Sequence, residues 1–447
     1  MTDKYYKTYY DPNFISQEPV LYQKDLFTIS LTFLFIKDTC IIPSYKYYIN
    51  KTLYNYDNKK RNVSINELVN VIFGPFQDMG PKETSQRPTK VCLSVRSSCN
   101  KIIFKKLYKL PNWDTLSYAK PTIDLVPLNL RLSTVSCFSL PGYRDPPNLE
   151  TYNKFTEINR ENKTDIIIVT GDLLYLEPLN LTSEGAIQAG YNQLKTFDRL
   201  QGVFSNHVWI TTADDHDLGY NDTQRAGYNI NLLRNLIQKN FPLISQYSPQ
   251  NYRGNFTQVK NISFITLDDV SQRKINVDST SAGNAYLQIL GDDQLTFLYD
   301  ALDNIELQFN KKSLVFVISG KSMFGNIGGQ TYPYCLKERD AILAYIRKLG
   351  LRNVCFLCGD SHFSDLSECI VDTSTNQIVR EIRNSAIGSP PRSRPDDNPY
   401  RVAGSFIGSI NNFGTIDIEG IFNNYTITYK VYTSIEQVYT YSWNINY

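Results

Sequence analysis

Four short apolar runs in this 447-residue chain are each followed within three residues by aspartate, and two of them also by histidine. The runs and their acidic ends span residues 165–175, 208–217, 263–269 and 354–362. Short runs of this kind that alternate with helical patterns predict the strands of a layered α/β domain. Because ligand sites in open α/β sheets lie beyond the carboxyl ends of the strands, these side chains are expected to converge on one rim.

The sequence pattern of the chain changes near residue 128. Before this point, β-prone runs such as 27–36 and 91–95 alternate with turn-rich polar segments, and one possible helix lies near 65–72. This pattern predicts a β-rich accessory domain over residues 1–128.

The remaining residues, 129–447, are predicted to form the α/β domain. Helical patterns at 186–200, 294–302 and 336–349 separate the apolar runs, and Gly350 is a stop signal after the last of them.

Bulk composition excludes several classes of partner. Hydrophobic residues make up 42 % of the chain and charged residues 20 %, which is typical of a folded protein. The net charge of +2 indicates neither nucleic acid nor an anionic membrane as partner. The most apolar early stretch, 26–36, is shorter than the roughly 20 residues that a membrane span needs. Without a recognisable export signal, a cytoplasmic or particle-associated protein is expected.

The acidic strand ends predict a metal site. Clustered carboxylates repel one another and raise one another's pKa values unless a cation neutralises them. The strongest segment runs from Asp214 to Asn221, because a solvated acidic loop requires neither the histidine nor the asparagine that it contains. Two of the three histidines, His216 and His362, lie beside carboxylates at strand ends.

Other candidate residues have simpler interpretations. His207 precedes the apolar core of its strand and is interpreted as structural. Cys137 alone is typical of a small buried side chain, and alternation along a strand explains Cys355 and Cys358 without a zinc site. The segment 320–322 lacks the upstream glycine of a phosphate-binding loop.

Five motifs occur in the order found in the PhoD-like alkaline phosphatases and phosphodiesterases of the calcineurin-like metallophosphatase superfamily, which the chain resembles over roughly 130–420. They are residues 136–137, 171–175, 212–222, 290–294 and 359–362. Segments 267–273, 337–339 and 412–414 add weaker matches. The resemblance implies a layered metallophosphatase β-sandwich flanked by helices, in addition to the β-rich N-terminal domain.

The resemblance also implies metals and their ligands. Cys137, Asp172 and Tyr175 match family residues that bind iron(III), and a phenolate with a thiolate suits high-valent iron better than calcium. Further carboxylates bind Ca²⁺ in part of the family, and other divalent metals are possible. The candidates to complete the metal cluster, without assignment to a particular ion, are Asp214, Asp215, Asn221, Asp360 and His362.

The implied activity is metal-dependent hydrolysis of phosphate mono- or diesters at a multinuclear site. His216 or His362 would protonate the leaving oxygen, and Asp217 would orient His216. The chain departs from the family pattern at Leu173, Ala213 and Leu218, where aromatic residues are usual, but none of these changes removes a ligand.

Two other functions are retained as alternatives. The altered aromatics and the abundance of tyrosine leave room for a catalytically silent structural or binding protein, such as a particle or surface component, on the same scaffold. The aromatic, β-rich N-terminal region is also compatible with glycan binding.

Overall fold

The chain divides into two compact units by its internal contacts. The first comprises 1–124, 195–209 and 239–242, and the second comprises 125–194, 210–238 and 243–447. The domain boundary at 128/129 stays a prediction, since the first unit also takes in two later segments. The computed structural model describes residues 9–10, 20–25, 28–34, 39–49, 52–57, 61–63, 68–73, 90–97, 101–109, 128–142, 148–161, 164–176, 179, 182–200, 202–221, 229–241, 254–259, 261–276, 283, 285–309, 313–327, 330–421 and 424–446.

Described residues before 110 form nine strands in two antiparallel sheets. They are β1 Tyr9–Tyr10, β2 Val20–Asp25, β3 Thr28–Leu34, β4 Thr39–Ile49, β5 Thr52–Asp57, β6 Arg61–Val63, β7 Leu68–Phe73, β8 Lys90–Ser97 and β9 Ile102–Lys109. One sheet has the order β1-β9-β8-β4-β5 with β6 also on β4, and the other has the order β2-β3-β7.

The helix predicted near 65–72 is wrong where the structure describes it. Residues 68–73 form β7, which pairs antiparallel with β3, so that Val71 lies opposite Leu31. The run is rich in β-branched and aromatic residues, and its short apolar pattern does not distinguish a helix from a buried strand.

The second unit is built on two six-stranded mixed sheets. The first has the order β12-β11-β10-β21-β22-β23 and the second the order β13-β14-β17-β18-β20-β19, beside a two-stranded β15-β16 ribbon. Their bounds are β10 Leu128–Val135, β11 Ile166–Thr170, β12 Val208–Thr212, β13 Asn255–Val259, β14 Ile262–Thr266, β15 Lys274–Ile275, β16 Tyr286–Gln288, β17 Leu314–Ile318, β18 Asn353–Cys358, β19 Asp365–Asp372, β20 Gln377–Arg383, β21 Asn412–Ile421, β22 Asn424–Thr433 and β23 Gln437–Asn446.

The predicted apolar runs are the central strands of these sheets. Every residue of β11, β14 and β17 is buried, as expected for strands covered on both faces. Strands β10 and β11 run parallel, as do β14, β17, β18 and β20, so their carboxyl ends lie at the same edge of each sheet. Between the sheets, the Tyr425 hydroxyl donates to Asn261 Oδ1 at 2.6 Å.

Helices flank both sheets. Phe155 of α1 meets Phe413 of β21 edge to face at 5.2 Å, and buried residues of α6 and α7 share one apolar cluster with β17 and β18. The predicted α/β sandwich flanked by helices is therefore confirmed. The helices of the described residues are α1 Leu149–Glu161, α2 Glu184–Thr196, α3 Val203–Asn206, α4 Asp215–Leu218, α5 Ile230–Asn240, α6 Gly291–Phe309 and α7 Leu336–Leu349, with 3-10 turns at Asp198–Leu200 and Tyr332–Tyr334. Of these, α3 and the turn Asp198–Leu200 belong to the first unit.

A search of the described residues for a helix long and apolar enough to cross a membrane finds none.

Glu338, in the first turn of α7, supports a prediction about stability and pH. Its Oε1 accepts hydrogen bonds from the backbone amides of Ile289 at 3.0 Å and Leu290 at 2.9 Å. Burial raises the pKa of this carboxyl to about 7 from 4.5. Because the folded state binds the proton more tightly, this stabilisation is full below pH 4.5 and is lost as the pH rises through 7.

We expect Glu338→Gln to raise the free energy of unfolding at pH 8 by about 1–3 kcal/mol and to change it little at pH 4.5. Glutamine keeps the acceptor for both amides and carries no buried charge. Denaturant unfolding at the two pH values measures the effect, with the exposed Glu150→Gln in α1 as the control. A gain of equal size at both pH values would contradict the explanation.

Candidate metal centre

Five strands of the sandwich end at one place, and polar side chains follow each end. The residues that follow are Cys137 after β10, Asp172 after β11, Asp214 and Asp215 after β12, Lys321 after β17, and Asp360 and His362 after β18. Asp172, Asp214, Asp215 and Asp360 each offer an oxygen, and these atoms all lie within 4.8 Å of one another. The convergence expected from the sequence therefore occurs for three of the four acidic runs.

The four-carboxylate cluster could hold a metal ion. Asp172, Asp214 and Asp215 are at most 1 % exposed, and the side chain of Asp360 is 21 % exposed at the rim. Asp172 Oδ1 and Asp214 Oδ2 are buried without a hydrogen-bond partner among the described residues. Unsatisfied buried carboxylate oxygens are costly, and hard cations prefer such oxygens as ligands. The donor set therefore fits a metal ion.

Cys137, Tyr175 and His362 lie around Asp172 on one side of the cluster. Asp172 Oδ2 is 3.3 Å from Cys137 Sγ and 3.5 Å from the Tyr175 hydroxyl. The same hydroxyl lies 3.3 Å from His362 Nε2 and accepts a hydrogen bond from Ser389 Oγ at 2.7 Å. A thiol, a carboxylate, a phenol and an imidazole thus meet at one point, although they come from three different strand ends.

The two other predicted residues of the His216 segment lie in different surroundings. His216 is buried and its ring packs on that of Tyr175, with centroids 4.1 Å apart. Asn221, the last described residue before 229, is exposed.

Backbone conformation sets several of the predicted residues apart. Cys137, Asp172, Asp360 and His362 all have positive φ, between 54° and 60°. This left-handed region is uncommon for residues other than glycine. It costs about 1–3 kcal/mol at each position and persists only where the surrounding structure enforces it. Such outliers cluster at functional sites, which supports a role for these four residues in a common site.

Glycines allow the strand ends to approach one another. A Cβ on Gly171 would lie 2.5 Å from Asp214 Cβ, and one on Gly320 would lie 2.8 Å from Asp214 Cγ. The Asp214 side chain therefore packs directly against the backbone of Gly171 and Gly320, where a larger residue would not fit. Gly171 also has φ +91°, which only glycine adopts freely.

Asp217 connects two of the loops. Its Oδ2 accepts hydrogen bonds from the backbone amides of Asp172 at 2.7 Å and Asp214 at 3.0 Å, and its Oδ1 accepts from Leu174 at 3.2 Å. These bonds fix the loops after β11 and β12 relative to each other. The role predicted for Asp217 in orienting His216 stays a prediction.

Lys321 is the residue of the site that sequence reasoning missed. Its ammonium forms ion pairs with Asp214 at 2.9 Å, Asp215 at 2.9 Å and Asp360 at 2.8 Å, and its side chain is 1 % exposed. The available sequence signal is its position two residues beyond an apolar run, in Gly320-Lys321-Ser322.

Burial and neighbouring charges shift the pKa values of the carboxylates in different directions. Burial raises the pKa of Asp172 well above its usual range, and the Cys137 thiol adds to this. Burial likewise raises the pKa of Asp214. At Asp215 burial is outweighed by Lys321 and His216, which hold the pKa of this carboxyl below its usual range. A cation that binds Asp172 and Asp214 in their ionised forms would therefore displace protons.

The acidic run at 268–269 supports the site without joining it. Asp268 Oδ1 accepts hydrogen bonds from the amides of Val270 and Ser271 at 3.1 and 2.9 Å. Asp269 Oδ2 accepts from the Lys321 amide at 2.8 Å, and its Oδ1 accepts from the Tyr332 hydroxyl at 3.1 Å. Both carboxylates are used to hold loops.

The three departures from the family pattern are apolar residues inside the protein. Leu173, Ala213 and Leu218 are each fully buried. Apolar side chains therefore occupy the positions where the family pattern has aromatic ones.

Comparison with known proteins adds a match in fold. No family model matches the chain, and no curated protein matches it in sequence. A 5′-nucleotidase structure from Staphylococcus aureus matches with a TM-score of 0.35, 12 % identity and coverage of 72 % of this chain and 55 % of that one. Vps29 from Chaetomium thermophilum matches with a TM-score of 0.28, 12 % identity and coverage of 71 % and 98 %. These two scores are too low to indicate a shared architecture.

The solved structure of PhoD matches with a TM-score of 0.70 over 98 % of this chain and 92 % of that chain, at 13 % sequence identity. The protein therefore has the fold of PhoD.

Proposed function

We propose that the protein is a metal-dependent phosphoesterase of the PhoD-like family that hydrolyses phosphate mono- or diesters. The observation that carries the proposal is the meeting of Cys137, Asp172, Tyr175 and His362 beside three further aspartates at the carboxyl ends of the strands. The PhoD fold and the strained backbone at four of these residues support it.

In this proposal Cys137, Asp172 and Tyr175 hold iron(III), and the candidates to complete the metal cluster, with Ca²⁺ or another divalent ion, are Asp214, Asp215, Asn221, Asp360 and His362. Such ions, when bound, supply Lewis-acid activation of the phosphoryl group and of the attacking water.

His362 is prepared to act through Nε2. Its Nδ1 lies 2.8 Å from the carbonyl oxygen of Pro390, so the ring donates its Nδ1 proton there and presents the Nε2 lone pair to the centre. Burial lowers the pKa of His362, which favours this neutral form. Neutral His362 suits a ligand better than an acid. His216, buried against Tyr175, is therefore our candidate for protonating the leaving oxygen.

A catalytically silent binding or structural protein on the same fold is the second candidate. The observation that favours it is Lys321, because an internal ammonium already neutralises part of the charge of Asp214, Asp215 and Asp360. Such a protein would keep the polar side chains at the strand ends but would not hydrolyse phosphate esters.

The deciding experiment measures hydrolysis of paired aryl phosphate mono- and diesters by the full chain. We expect turnover after reconstitution with iron and calcium, a fall of at least about a hundredfold after chelation, and recovery when the metals return. Circular dichroism before and after chelation controls for unfolding. A folded, metal-loaded protein that hydrolyses neither ester would contradict the proposal and favour the silent protein.

A further inference from the structure

We infer that Lys321 takes the place of a metal ion in this centre, so that the protein holds one firmly bound metal ion per chain, on the side of Cys137 and Asp172. The inference rests on the proposed function and narrows it, because the ammonium of Lys321 replaces the further ion for which Asp214, Asp215 and Asp360 are candidate ligands. It states how many metal ions the chain holds and which residue takes the place of a further ion.

The ammonium of Lys321 lies where three carboxylates converge. Its Nζ is 2.8–2.9 Å from one oxygen each of Asp214, Asp215 and Asp360, three of the four aspartates of the cluster. Oxygen donors from two separate strand ends surround it as they would surround a hard cation. A metal ion on the same three oxygens would stand within a few ångströms of the ammonium, where two cations repel strongly in a buried setting.

The loop that carries Lys321 is fixed in this position. The Lys321 amide donates to Asp269 Oδ2 at 2.8 Å, and its carbonyl oxygen accepts from Ser319 Oγ at 3.0 Å. On the other side, Gly320 packs so closely on Asp214 that no Cβ would fit. The side chain of Lys321 is 1 % exposed. Because its backbone is fixed by these contacts, the side chain stays inside the cluster.

The side of the cluster around Asp172 remains available. Among the described residues, no ion pair reaches Asp172, and its Oδ1 has no hydrogen-bond partner. Cys137, Tyr175 and His362 supply further ligand atoms there. Four carboxylates and one ammonium leave a negative cluster, so one more cation is favoured on this side.

The test is the metal content of the full chain. Wild type and Lys321→Met would be equilibrated with iron(III) and excess Ca²⁺, freed of loosely bound ions and analysed by elemental mass spectrometry. We expect one ion per wild-type chain and a gain of one Ca²⁺ in Lys321→Met, because methionine removes the charge and, being one atom shorter than lysine, vacates the position of Nζ. Lys321→Arg, which keeps the charge, should stay at one.

Lys195→Met is the matched control. Lys195 is also a buried lysine, but its ammonium donates to Asn240 Oδ1 at 2.8 Å and not to a carboxylate. Its replacement should leave the metal content at one.

Two or more firmly bound ions in an active wild type would overturn the inference and leave the proposed function standing. An unchanged count in Lys321→Met would overturn it as well. A wild type without metal and without turnover would overturn both. If Lys321→Met does not fold, Lys321→Gln is the second neutral variant, and the wild-type count still decides.

Discussion

Replacement of Asp172 by asparagine is expected to lower metal-activated hydrolysis about a thousandfold, which corresponds to about 4 kcal/mol of transition-state stabilisation. Asp172 is the carboxylate that connects Cys137 and Tyr175 to the other aspartates. Asparagine has the same shape and tolerates the φ of 54° at this position, so the change removes the charge and leaves the backbone in place. Turnover and metal content of the variant, measured together, check the prediction.

Asp303→Asn is a suitable control, because it makes the same chemical change on α6, where the carboxylate accepts hydrogen bonds from the Tyr345 hydroxyl at 2.9 and 3.0 Å. Its turnover should stay within about twofold of wild type. Equal turnover in Asp172→Asn and wild type would refute the assignment of the site.

Gly359→Ala is expected to lower the free energy of unfolding by about 3 kcal/mol and turnover by about a hundredfold. A Cβ on Gly359 would lie 2.4 Å from the carbonyl oxygen of Thr170 and 2.7 Å from Ser136 Oγ. These atoms belong to the ends of β11 and β10, so the methyl group would push apart the loops that carry Asp172, Cys137 and Asp360. Denaturant unfolding and ester hydrolysis measure the two effects.

Gly185→Ala is the matched control on α2. The nearest atom to its added Cβ would be Ser183 Oγ at 3.9 Å, so the substitution meets no obstacle. We expect unchanged turnover and a free energy of unfolding that is unchanged or raised by up to about 1 kcal/mol. If Gly359→Ala matched this control in both measurements, the close packing of the strand ends would not matter for the site.

Sequence patterns predicted the parts of the fold that depend on local signals. The helix at 336–349 was predicted with the observed bounds, because an amphipathic period ends at Gly350, whose φ of 66° closes the helix. The helix near 65–72 failed where it is described, since pairing with β3 fixes that segment as a strand. A short apolar run does not indicate whether the segment pairs with a distant strand.

Sequence patterns predicted those site residues that directly follow predicted strands, because the ends of such strands lie close together. Convergence of Asp172, Asp214 and Asp360 was expected because each follows a strand of an α/β sheet, where ligand sites lie beyond the carboxyl ends. Lys321 also follows a strand, but this position alone does not indicate that its ammonium turns towards carboxylates that follow other strands. The same limit applies to Asp269, whose carboxylate turns to the Lys321 loop and not to the cluster.

The left-handed backbone at Asp172 and Asp360 has a consequence for how such a protein can change over generations. Asparagine and glycine enter this conformation more readily than other residues. On the proposed function, single substitutions to either would therefore remove a metal ligand with little added backbone strain, and reversal would restore it just as directly. A phosphoesterase of this design could thus lose and regain its metal site in single steps that the backbone tolerates.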